Sequence, residues 1–362
     1  MKKAVAYVVL FSMFFSLFGD FQISKAASYE KSERTNVSAT VPNKGVLGQS
    51  SNGFAVKNSS EVASIYVDKS SEHVTSYSTG SKSYSYSGLE LVATTFAGDI
   101  ELVTGSKPKV ATSSENLSGN VIIAGTVENN DVIKKLIEKG FIDVSQLYTD
   151  GKANWECYQI QTVTSAQLAS CGFNGINQAV VIAATDKRGA IYGMFHISEQ
   201  LGVSPWVYFG DATPVKYNEV YLNDYTTPHV SKEPSVKYRG FFINDEAPSF
   251  TGWCANSFGG VNEKAYKKIF ELLLRLKGNY LWPAMWSNSF SDDGQEYKMA
   301  NAIFADAYGV VMGTSHHEPM CRAGVEWNRV YKNYGTSNKW DFKANETAIS
   351  KFWEDGIKRN GN

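Results

Sequence analysis

The chain has 362 residues, of which 43% are hydrophobic, 13% aromatic and 20% charged. This composition is typical of about two folded domains with large cores, and it excludes a predominantly disordered protein, a coiled coil and a collagen-like repeat. The 35 Lys and Arg residues against 36 Asp and Glu give a formal net charge of −1. That balance provides no basic surface for nucleic acid, so we expect no nucleic-acid partner.

The first residues have the pattern of a secretory signal peptide. Two lysines precede an almost wholly apolar stretch at residues 4–18, and Ser24 and Ala26 supply small residues at positions −3 and −1 of a cleavage site. The alternative is a membrane anchor, but the apolar run is shorter than the ~20 residues that a spanning helix needs. We therefore predict cleavage near Ala26, which makes residues 1–26 a signal peptide, and a secreted, extracellular protein without a membrane partner.

The cysteines are widely and irregularly spaced, at Cys157, Cys171, Cys254 and Cys321. Without a CxxC pair, the spacing indicates neither a disulfide framework nor a zinc ribbon. Cys157 and Cys171 would be the pair if a disulfide formed, and four buried thiols are the favoured interpretation. No cofactor is predicted.

Residues 27–87 are rich in Ser, Thr, Asn and Lys and are predicted to form a polar, partly flexible leading segment with short β pieces such as residues 63–67. Residues 88–225 alternate apolar runs with helical patterns, which predicts an N-terminal α/β or α+β domain. Its predicted strands are residues 121–126, 158–163 and 179–184, and its predicted helices begin at residue 88 and cover residues 131–139 and 190–201.

Residues 226–235 contain two prolines and are predicted to be a linker. The next predicted strands are residues 236–243, 280–282 and 310–312, and the next predicted helices are residues 263–277, 297–308 and 346–359. Repeated strand, loop and helix units with short strands are typical of a (β/α)8 TIM-type barrel. Because a complete barrel takes ~250 residues, we expect residues 236–362 to form only its first part, so that the barrel is incomplete in this chain.

Polar and aromatic side chains follow each of the three predicted barrel strands, where the reactive groups of such barrels lie. They are Asn244, Asp245 and Glu246 after the first strand, Trp282 and Trp286 after the second, and His316, His317 and Glu318 after the third. Carboxylates act as acid, base or nucleophile at a glycosidic bond, and flat aromatic rings pack against the apolar faces of pyranose rings. The pattern predicts a sugar-cleaving site.

Each of these features also has a simpler interpretation. The acidic pair could belong to a helix N-terminus, and the two tryptophans could be core residues. His316 and His317 lack the i,i+4 spacing of helical zinc ligands and point apart on extended backbone, so no metal site is predicted. Upstream, Glu199 could be an ordinary exposed helix residue, and Trp206 could cover the seam between the domains.

Three long motifs resemble those of glycoside hydrolase family 115, the xylan α-1,2-glucuronidases. They are KYRGFFINDE at residues 237–246, ELLLRLKGNYLWPAMW at residues 271–286 and GTSHHEPM at residues 313–320. Residues 186–193, together with the segments at residues 198–199 and 202–206, resemble the N-terminal domain of that family. The resemblance covers roughly residues 88–362.

The resemblance implies an exo-acting, inverting hydrolase that removes glucuronic acid or its 4-O-methyl form from glucuronoxylan or aldouronic acid oligosaccharides. It implies that Asp245 is an active-site carboxylate with Glu246 beside it, and that His316 or His317 lies near the uronate. It further implies a contribution from Glu199, with Trp206 as another candidate for substrate binding. The family carries further essential carboxylates on later barrel strands, so we expect this chain to be a truncated enzyme that is inactive by itself.

Two other classes of function fit the same residues. A non-catalytic carbohydrate-binding protein would bind aldouronic acids without turnover, and another exo-glycosidase of hexosaminidase-like plan would prefer N-acetylhexosaminyl substrates. A uronidase should discriminate against neutral sugars, because a charge-assisted contact to a uronate contributes ~1.5–3 kcal/mol.

Overall fold

The structure, a computed structural model, describes residues 46–47, 53–222, 225–244, 247–285, 287–314 and 318–360. The predicted signal peptide lies outside these residues, as do the site candidates Asp245, Glu246, Trp286, His316 and His317. Within the described ranges, no helix is long and apolar enough to cross a membrane.

The described strands are numbered here in chain order. They are β1 (Val46–Leu47), β2 (Phe54–Lys57), β3 (Ser64–Val67), β4 (Val74–Thr79), β5 (Lys82–Ser87), β6 (Val110–Ala111), β7 (Gly119–Thr126), β8 (Tyr148–Thr149), β9 (Lys152–Ala153), β10 (Tyr158–Thr164), β11 (Ile176–Ala184), β12 (Val220–Leu222), β13 (His229–Val230), β14 (Gly240–Phe242), β15 (Tyr280–Trp282) and β16 (Val311–Met312).

The described α-helices are numbered in the same way. They are α1 (Gly88–Thr104), α2 (Asp131–Glu138), α3 (Ser165–Ser170), α4 (Lys187–Gln200), α5 (Ser249–Phe258), α6 (Glu263–Arg275), α7 (Ala300–Tyr308), α8 (Gly324–Val330) and α9 (Phe342–Asn360). We call residues 53–222 the first half of the chain and residues 236–360 the second half.

A six-stranded mixed sheet lies in the first half, with the strand order β13-β10-β11-β7-β3-β6. β3, β6, β7 and β11 are parallel, whereas β10 pairs antiparallel with both β11 and β13. The strands predicted at residues 121–126, 158–163 and 179–184 are confirmed as β7, β10 and β11. The short piece predicted at residues 63–67 is confirmed as β3, which lies in the same sheet.

Alternate residues of β7 and β11 enter two separate cores, because successive side chains of a strand point to opposite faces of the sheet. Ile122 and Ile182 lie in one core, which residues of α1 and α4 share. Val121 and Val181 lie in the other core, with residues of α2 and α3. Burial on both faces explains why these strands are continuous apolar runs in the sequence.

The start of α4 lies three residues before the predicted one. Asp186 occupies the N-cap position, and its Oδ1 accepts a hydrogen bond from the backbone N–H of Gly189 at 2.8 Å. This bond satisfies a donor of the first helical turn, so the segment that carries Lys187 and Arg188 is helix from its first residue.

An antiparallel hairpin of β4 and β5 follows β3 in the predicted polar leading segment. The rings of Tyr77 and Tyr84 lie 5.3 and 4.1 Å from the ring of Tyr297, and the ring of Tyr86 lies 4.4 Å from that of Phe304. These tyrosines pack the hairpin against the second half. The sequence analysis did not predict the hairpin, because the serines and threonines between the tyrosines are typical of loops.

The second half contains a parallel three-stranded sheet in the order β14-β15-β16. Phe242 lies opposite Trp282, and Leu281 lies opposite Met312. Helices α5 and α6 separate β14 from β15 in the sequence, and α7 separates β15 from β16, as in βα units. The chain is therefore a mixed α/β protein, and its part in a (β/α)8 barrel stays a prediction.

The first strand of this sheet is shorter than predicted, since β14 covers Gly240–Phe242 rather than residues 236–243. Upstream, the Arg239 side chain donates hydrogen bonds to the backbone carbonyls of Val236 and Lys277, both at 2.9 Å. These bonds hold residues 236–239 in an irregular conformation. Pairing begins at Gly240, and only glycine fits there because a Cβ atom would lie 1.5 Å from the carbonyl oxygen of Tyr280.

The end of α6 is at Arg275, two residues before the predicted end. Lys277 has a φ of 57°, in the left-handed region that stops a helix. The backbone N–H of Gly278 then donates to the carbonyl of Leu273 at 2.8 Å, as in a helix-ending turn.

All four cysteines are free thiols. Cys157, Cys171 and Cys254 are buried, as predicted. The prediction is wrong for Cys321, which is exposed at the end of the one-turn 3-10 segment Pro319–Cys321.

One apolar core extends across both halves of the chain. It includes Leu89 and Phe96 of α1, Phe270 of α6 and Phe304 of α7, all at most 2% exposed. The described residues accordingly fall in a single compact unit.

A buried ion pair joins α1 to α6 within this core. The guanidinium of Arg275 donates to Oδ2 and Oδ1 of Asp99 at 2.8 and 2.7 Å and to Oε1 of Glu271 at 2.9 Å. Ser198 adds a hydrogen bond to Asp99 at 2.6 Å. Burial opposes the positive charge, but Asp99 and Glu271 outweigh it and raise the pKa of Arg275. The pair is therefore charged and closely matched in geometry.

We expect Arg275→Leu to lower the free energy of unfolding by about 3–5 kcal/mol, because Asp99 would remain buried without its partner. Urea denaturation followed by circular dichroism measures the loss. The control is Lys69→Ala, which removes the exposed pair between Lys69 and Glu90 at 2.9 Å and should cost less than ~1 kcal/mol. Equal losses in the two variants would contradict the expectation.

Candidate functional site

The C-terminal ends of β14, β15 and β16 lie side by side. The backbone N–H of Ile243 donates to the carbonyl of Trp282, and that of Gly313 donates to the carbonyl of Leu281, both at 2.9 Å. Because the strands are parallel, the segments that follow them leave the sheet at one edge. We call this the strand-end edge, defined by residues 243–244, 282–285 and 313–314. The predicted site residues Asn244 and Trp282 lie at it.

Aromatic side chains form an open face at this edge. The rings of Phe242 and Trp282 meet edge to face, with centroids 5.4 Å apart, and are 40% and 37% exposed. Nε1 of Trp282 donates to the hydroxyl of Tyr280 at 2.5 Å. A Cβ atom at Gly313 would lie 2.2 Å from the Trp282 ring, so the glycine leaves room for the indole. Such rings can pack against the apolar face of a sugar.

A cavity of about 230 Å³ lies beside the strand-end edge. Its lining includes Pro283, Gly313 and Thr314 from the edge itself and the predicted site residue Glu318, which is 4% exposed. The volume is below the roughly 300–1,000 Å³ of typical ligand pockets. The cavity therefore suits one small group rather than an oligosaccharide.

Tyr266 of α6 positions the segment that follows β15. Its hydroxyl accepts a hydrogen bond from the backbone N–H of Ala284 at 3.2 Å, and the side chain is fully buried. Burial raises the pKa of Tyr266 well above its ordinary value, so the phenol stays protonated and holds the segment without adding charge.

Glu326 contacts Ser289, a residue in the wall of the cavity. Its Oε1 accepts from Arg322 at 2.9 Å and from Arg359 at 2.7 Å, and its Oε2 accepts from Ser289 at 3.3 Å. Glu326 is 1% exposed, so two cations compensate its charge and it acts as a positioning residue. The sequence analysis missed Glu326, and the only local signal is the i,i+4 spacing from Arg322.

Helix α5 was also not predicted from the sequence. It has no side-chain hydrogen bond at its N-cap, so the usual start signal is absent. Its Trp253 packs against Phe250, Phe258 and Phe209, with ring centroids 5.2 to 6.0 Å apart. These contacts place a loop of the first half beside the helix that follows β14.

Neither Glu199 nor Trp206 lines the cavity. Glu199 is exposed on α4. Burial and then the charge of Glu199 raise the pKa of Tyr158, which places this carboxylate near β10. Trp206 is 50% exposed, in the loop that carries Phe209. Their part in substrate binding stays a prediction.

The predicted catalytic residues Asp245 and Glu246 lie outside the described residues, between Asn244 and Ala247, and Trp286 follows Met285. His316 and His317 lie between Thr314 and Glu318. Where the chain is described, no group of three or more His, Cys, Asp or Glu side chains is placed to hold a metal ion. The described flanks show only that these segments start from the strand-end edge.

Comparison with known proteins supports a single family. The sequence model of glycosyl hydrolase family 115 matches residues 231–362. Among solved structures, the chain is similar to a family GH115 4-O-methyl-alpha-glucuronidase with specificity for decorated arabinogalactans, at 28% identity and a TM-score of 0.60. That match covers 82% of this chain and 34% of the other, so the chain spans about a third of the length of that protein. The resemblance to family 115 is therefore confirmed.

A second solved structure is far less similar. It is a mutant Streptomyces plicatus beta-hexosaminidase in complex with product, with 12% identity and a TM-score of 0.37 over 79% of this chain and 46% of the other. Similarity at this level supports no conclusion about fold or function. Among curated proteins, no sequence matches the chain.

We expect Glu326→Leu to lower the free energy of unfolding by about 3–5 kcal/mol, because Arg322 would be left buried beside a second cation. Guanidinium denaturation followed by tryptophan fluorescence measures the change. Glu354→Leu, at an exposed position of α9, is the matched control and should change stability by about 0.5 kcal/mol or less. If Glu326→Leu were as stable as this control, Glu326 would not hold the wall.

Proposed function

We propose that this chain belongs to an exo-acting, inverting hydrolase. The premise is that residues 231–362 belong to glycoside hydrolase family 115. The reaction removes glucuronic acid or its 4-O-methyl form from glucuronoxylan or aldouronic acid oligosaccharides. The observation that carries the proposal is the strand-end edge. Within the matched residues, Asn244 and Trp282 lie at this edge, and the lining of the cavity beside it includes Gly313, Thr314 and Glu318.

Inversion requires two carboxyl groups with different tasks. One carboxylic acid protonates the leaving glycosidic oxygen, and the other, as a carboxylate, takes a proton from a water on the opposite face of the sugar. A separation of ~6.5–9.5 Å leaves room for that water. Asp245, with Glu246 beside it, is our candidate for one of these groups, and the two come three and four residues after the end of β14.

Recognition of the sugar falls to the other residues of the edge. The exposed ring of Trp282, with Trp286, would pack against the pyranose, and His316 or His317 would contact the uronate carboxylate. The buried carboxylate of Glu318 repels a uronate. Its oxygens would therefore accept hydrogen bonds from sugar hydroxyls rather than face the acid group.

The same sheet is the basis for proposing the first part of a (β/α)8 barrel. β14, β15 and β16 are parallel and joined through helices. In this proposal the exposed rings of Phe242 and Trp282 face the interior of the closed barrel. Three strands cannot close around a substrate. We therefore propose that catalysis needs further strands, and that the sequence at residues 1–26 directs secretion.

A second candidate function is carbohydrate binding without catalysis, which the exposed aromatic face favours. A second candidate polysaccharide is a decorated arabinogalactan, because the similar solved enzyme is described as specific for that class. Both alternatives can be tested with the same purified chain.

We expect the purified 362-residue chain to release no glucuronic acid from glucuronoxylan, aldouronic acids or a decorated arabinogalactan, since an open three-stranded sheet supplies too few catalytic groups. Liquid chromatography of the products after prolonged incubation measures release. Turnover that disappears in Asp245→Asn would show instead that the chain is sufficient. Release of N-acetylhexosamine from matching substrates would contradict the family-based substrate class.

We expect Trp282→Ala to weaken binding of an aldouronic acid about three- to tenfold, because an aromatic contact contributes ~0.5–1.5 kcal/mol. Titration calorimetry measures the affinity. Trp340→Ala removes a tryptophan of similar exposure, 45%, that lies outside the strand-end edge, and it should leave the affinity unchanged. Equal effects of the two substitutions would remove Trp282 from the proposed binding face.

A further inference from the structure

A second cavity, of about 310 Å³, lies at the edge of the three-stranded sheet where its strands begin. Arg239 directly precedes β14, and Lys277 lies three residues before β15, so this cavity is at the opposite edge from the strand ends. α4 and β13 supply its other walls. The side chains that carry the inference are Tyr158, His196, His229, Lys232, Arg239 and Lys277.

The carboxylate in the wall of this cavity is already neutralised. Glu156 has a fully buried side chain and forms ion pairs with both Arg188 and Arg239. Asn279 also donates to its Oε1 at 2.7 Å. Two guanidinium groups thus compensate the charge of Glu156, and one of them, Arg239, lines the cavity.

Two further cations line the cavity without a matching carboxylate. Among the described residues, neither Lys232 nor Lys277 forms an ion pair. Glu233 accepts a hydrogen bond from the backbone N–H of Trp155. Glu199 is exposed on α4, and its charge raises the pKa of Tyr158 less than burial does. The described lining is therefore cationic overall.

A chain of hydrogen bonds in this cavity indicates which nitrogen of His196 carries the proton. Lys277 Nζ lies 3.4 Å from the hydroxyl of Tyr158, which lies 3.2 Å from Nδ1 of His196. Because an ammonium only donates, the hydroxyl can donate its own proton to Nδ1. Burial, then His229 and Lys277, lower the pKa of His196 to about 4. At neutral pH His196 is therefore uncharged and carries its proton on Nε2, as a further donor.

The backbone of Lys277 is a separate observation about the same side chain. Its φ of 57° lies in the left-handed region, where glycine is favoured at the end of a helix. Lysine is a poorer choice than glycine for ending α6. The backbone conformation therefore does not explain a lysine at this position, whereas the side chain lines the cavity.

We propose that this cavity is an anion-binding site for a small oxyanion, that is, a carboxylate, phosphate or sulfate group. Lys277 is the main ligand, and Lys232 and Arg239 contribute positive charge at the wall. The Nε2–H of His196 offers a neutral donor. The site is separate from the strand-end edge and shares no lining residue with the first cavity.

Titration calorimetry at constant ionic strength tests the proposal, with inorganic phosphate, sulfate and sodium glucuronate as probes and glucose as the neutral control. Constant ionic strength separates site binding from general screening. We expect saturable binding of at least one of the three anions and none of glucose. The anion that binds most tightly identifies the kind of ligand. Absence of saturable binding for all three would overturn the proposal.

Lys277→Gly separates binding from folding. Glycine suits the left-handed backbone, so the variant should fold with equal or greater thermal stability, while affinity for the anion falls roughly tenfold or more. Lys139→Ala removes an exposed lysine at the end of α2, outside the cavity, and should bind as the wild type does. Unchanged affinity in Lys277→Gly, or an equal loss in Lys139→Ala, would overturn the assignment. Neither result depends on glycosidase activity.

Discussion

One buried carboxylate, Glu156, sets the position of the second sheet relative to the first. Arg239 and Asn279, which directly precede β14 and β15, both donate to it. Arg188 pairs with the same carboxylate and also donates to the carbonyl of Gly309, close to the start of β16. The beginnings of all three parallel strands are therefore tied, directly or through one arginine, to a single side chain of the first half. Since a buried charge without its partners is costly, this arrangement leaves the sheet little freedom to shift.

The candidate site depends on that constraint because the strands are so short. At ~3.3 Å per residue, a strand of three residues extends only about 10 Å, so a displacement where the strands begin is carried to where they end. Asn244 and Trp282 lie at the far ends of these strands. Tyr266 and Glu326 then fix the segments that leave the sheet. The position of the site thus depends on buried polar contacts at both edges of the sheet. The short strands mainly set the distance between these two edges.

The sequence predicted those parts of the fold whose signal is local. β7 and β11 are apolar runs, β10 alternates polar and apolar residues, and α6 has an apolar stripe, so each was found with small errors at the ends. The β4–β5 hairpin and the irregular residues 236–239 were not found, because tyrosine packing on Tyr297 and the bonds of Arg239 are contacts between distant segments. Of the predicted site residues, Asn244 and Trp282 lie at the strand-end edge and Glu318 lines the cavity beside it, while their roles stay predictions. Glu326 could not be predicted, because its role comes from Arg359 and Ser289, which no local pattern connects to it.

The core shared by the two halves has a consequence for biosynthesis. The ribosome completes α4 well before β15, yet the hydroxyl of Tyr192 finds its acceptor on Gly278 and the ring of Phe195 lies under Arg275. Until the later residues emerge, this flank of the nascent chain is an uncovered apolar surface, the kind that chaperones bind and that aggregates otherwise. Cleavage of the polypeptide within residues 226–235 would leave each fragment with only part of the apolar core. The two sheets differ in architecture, yet each depends on the other to bury its side of the shared core.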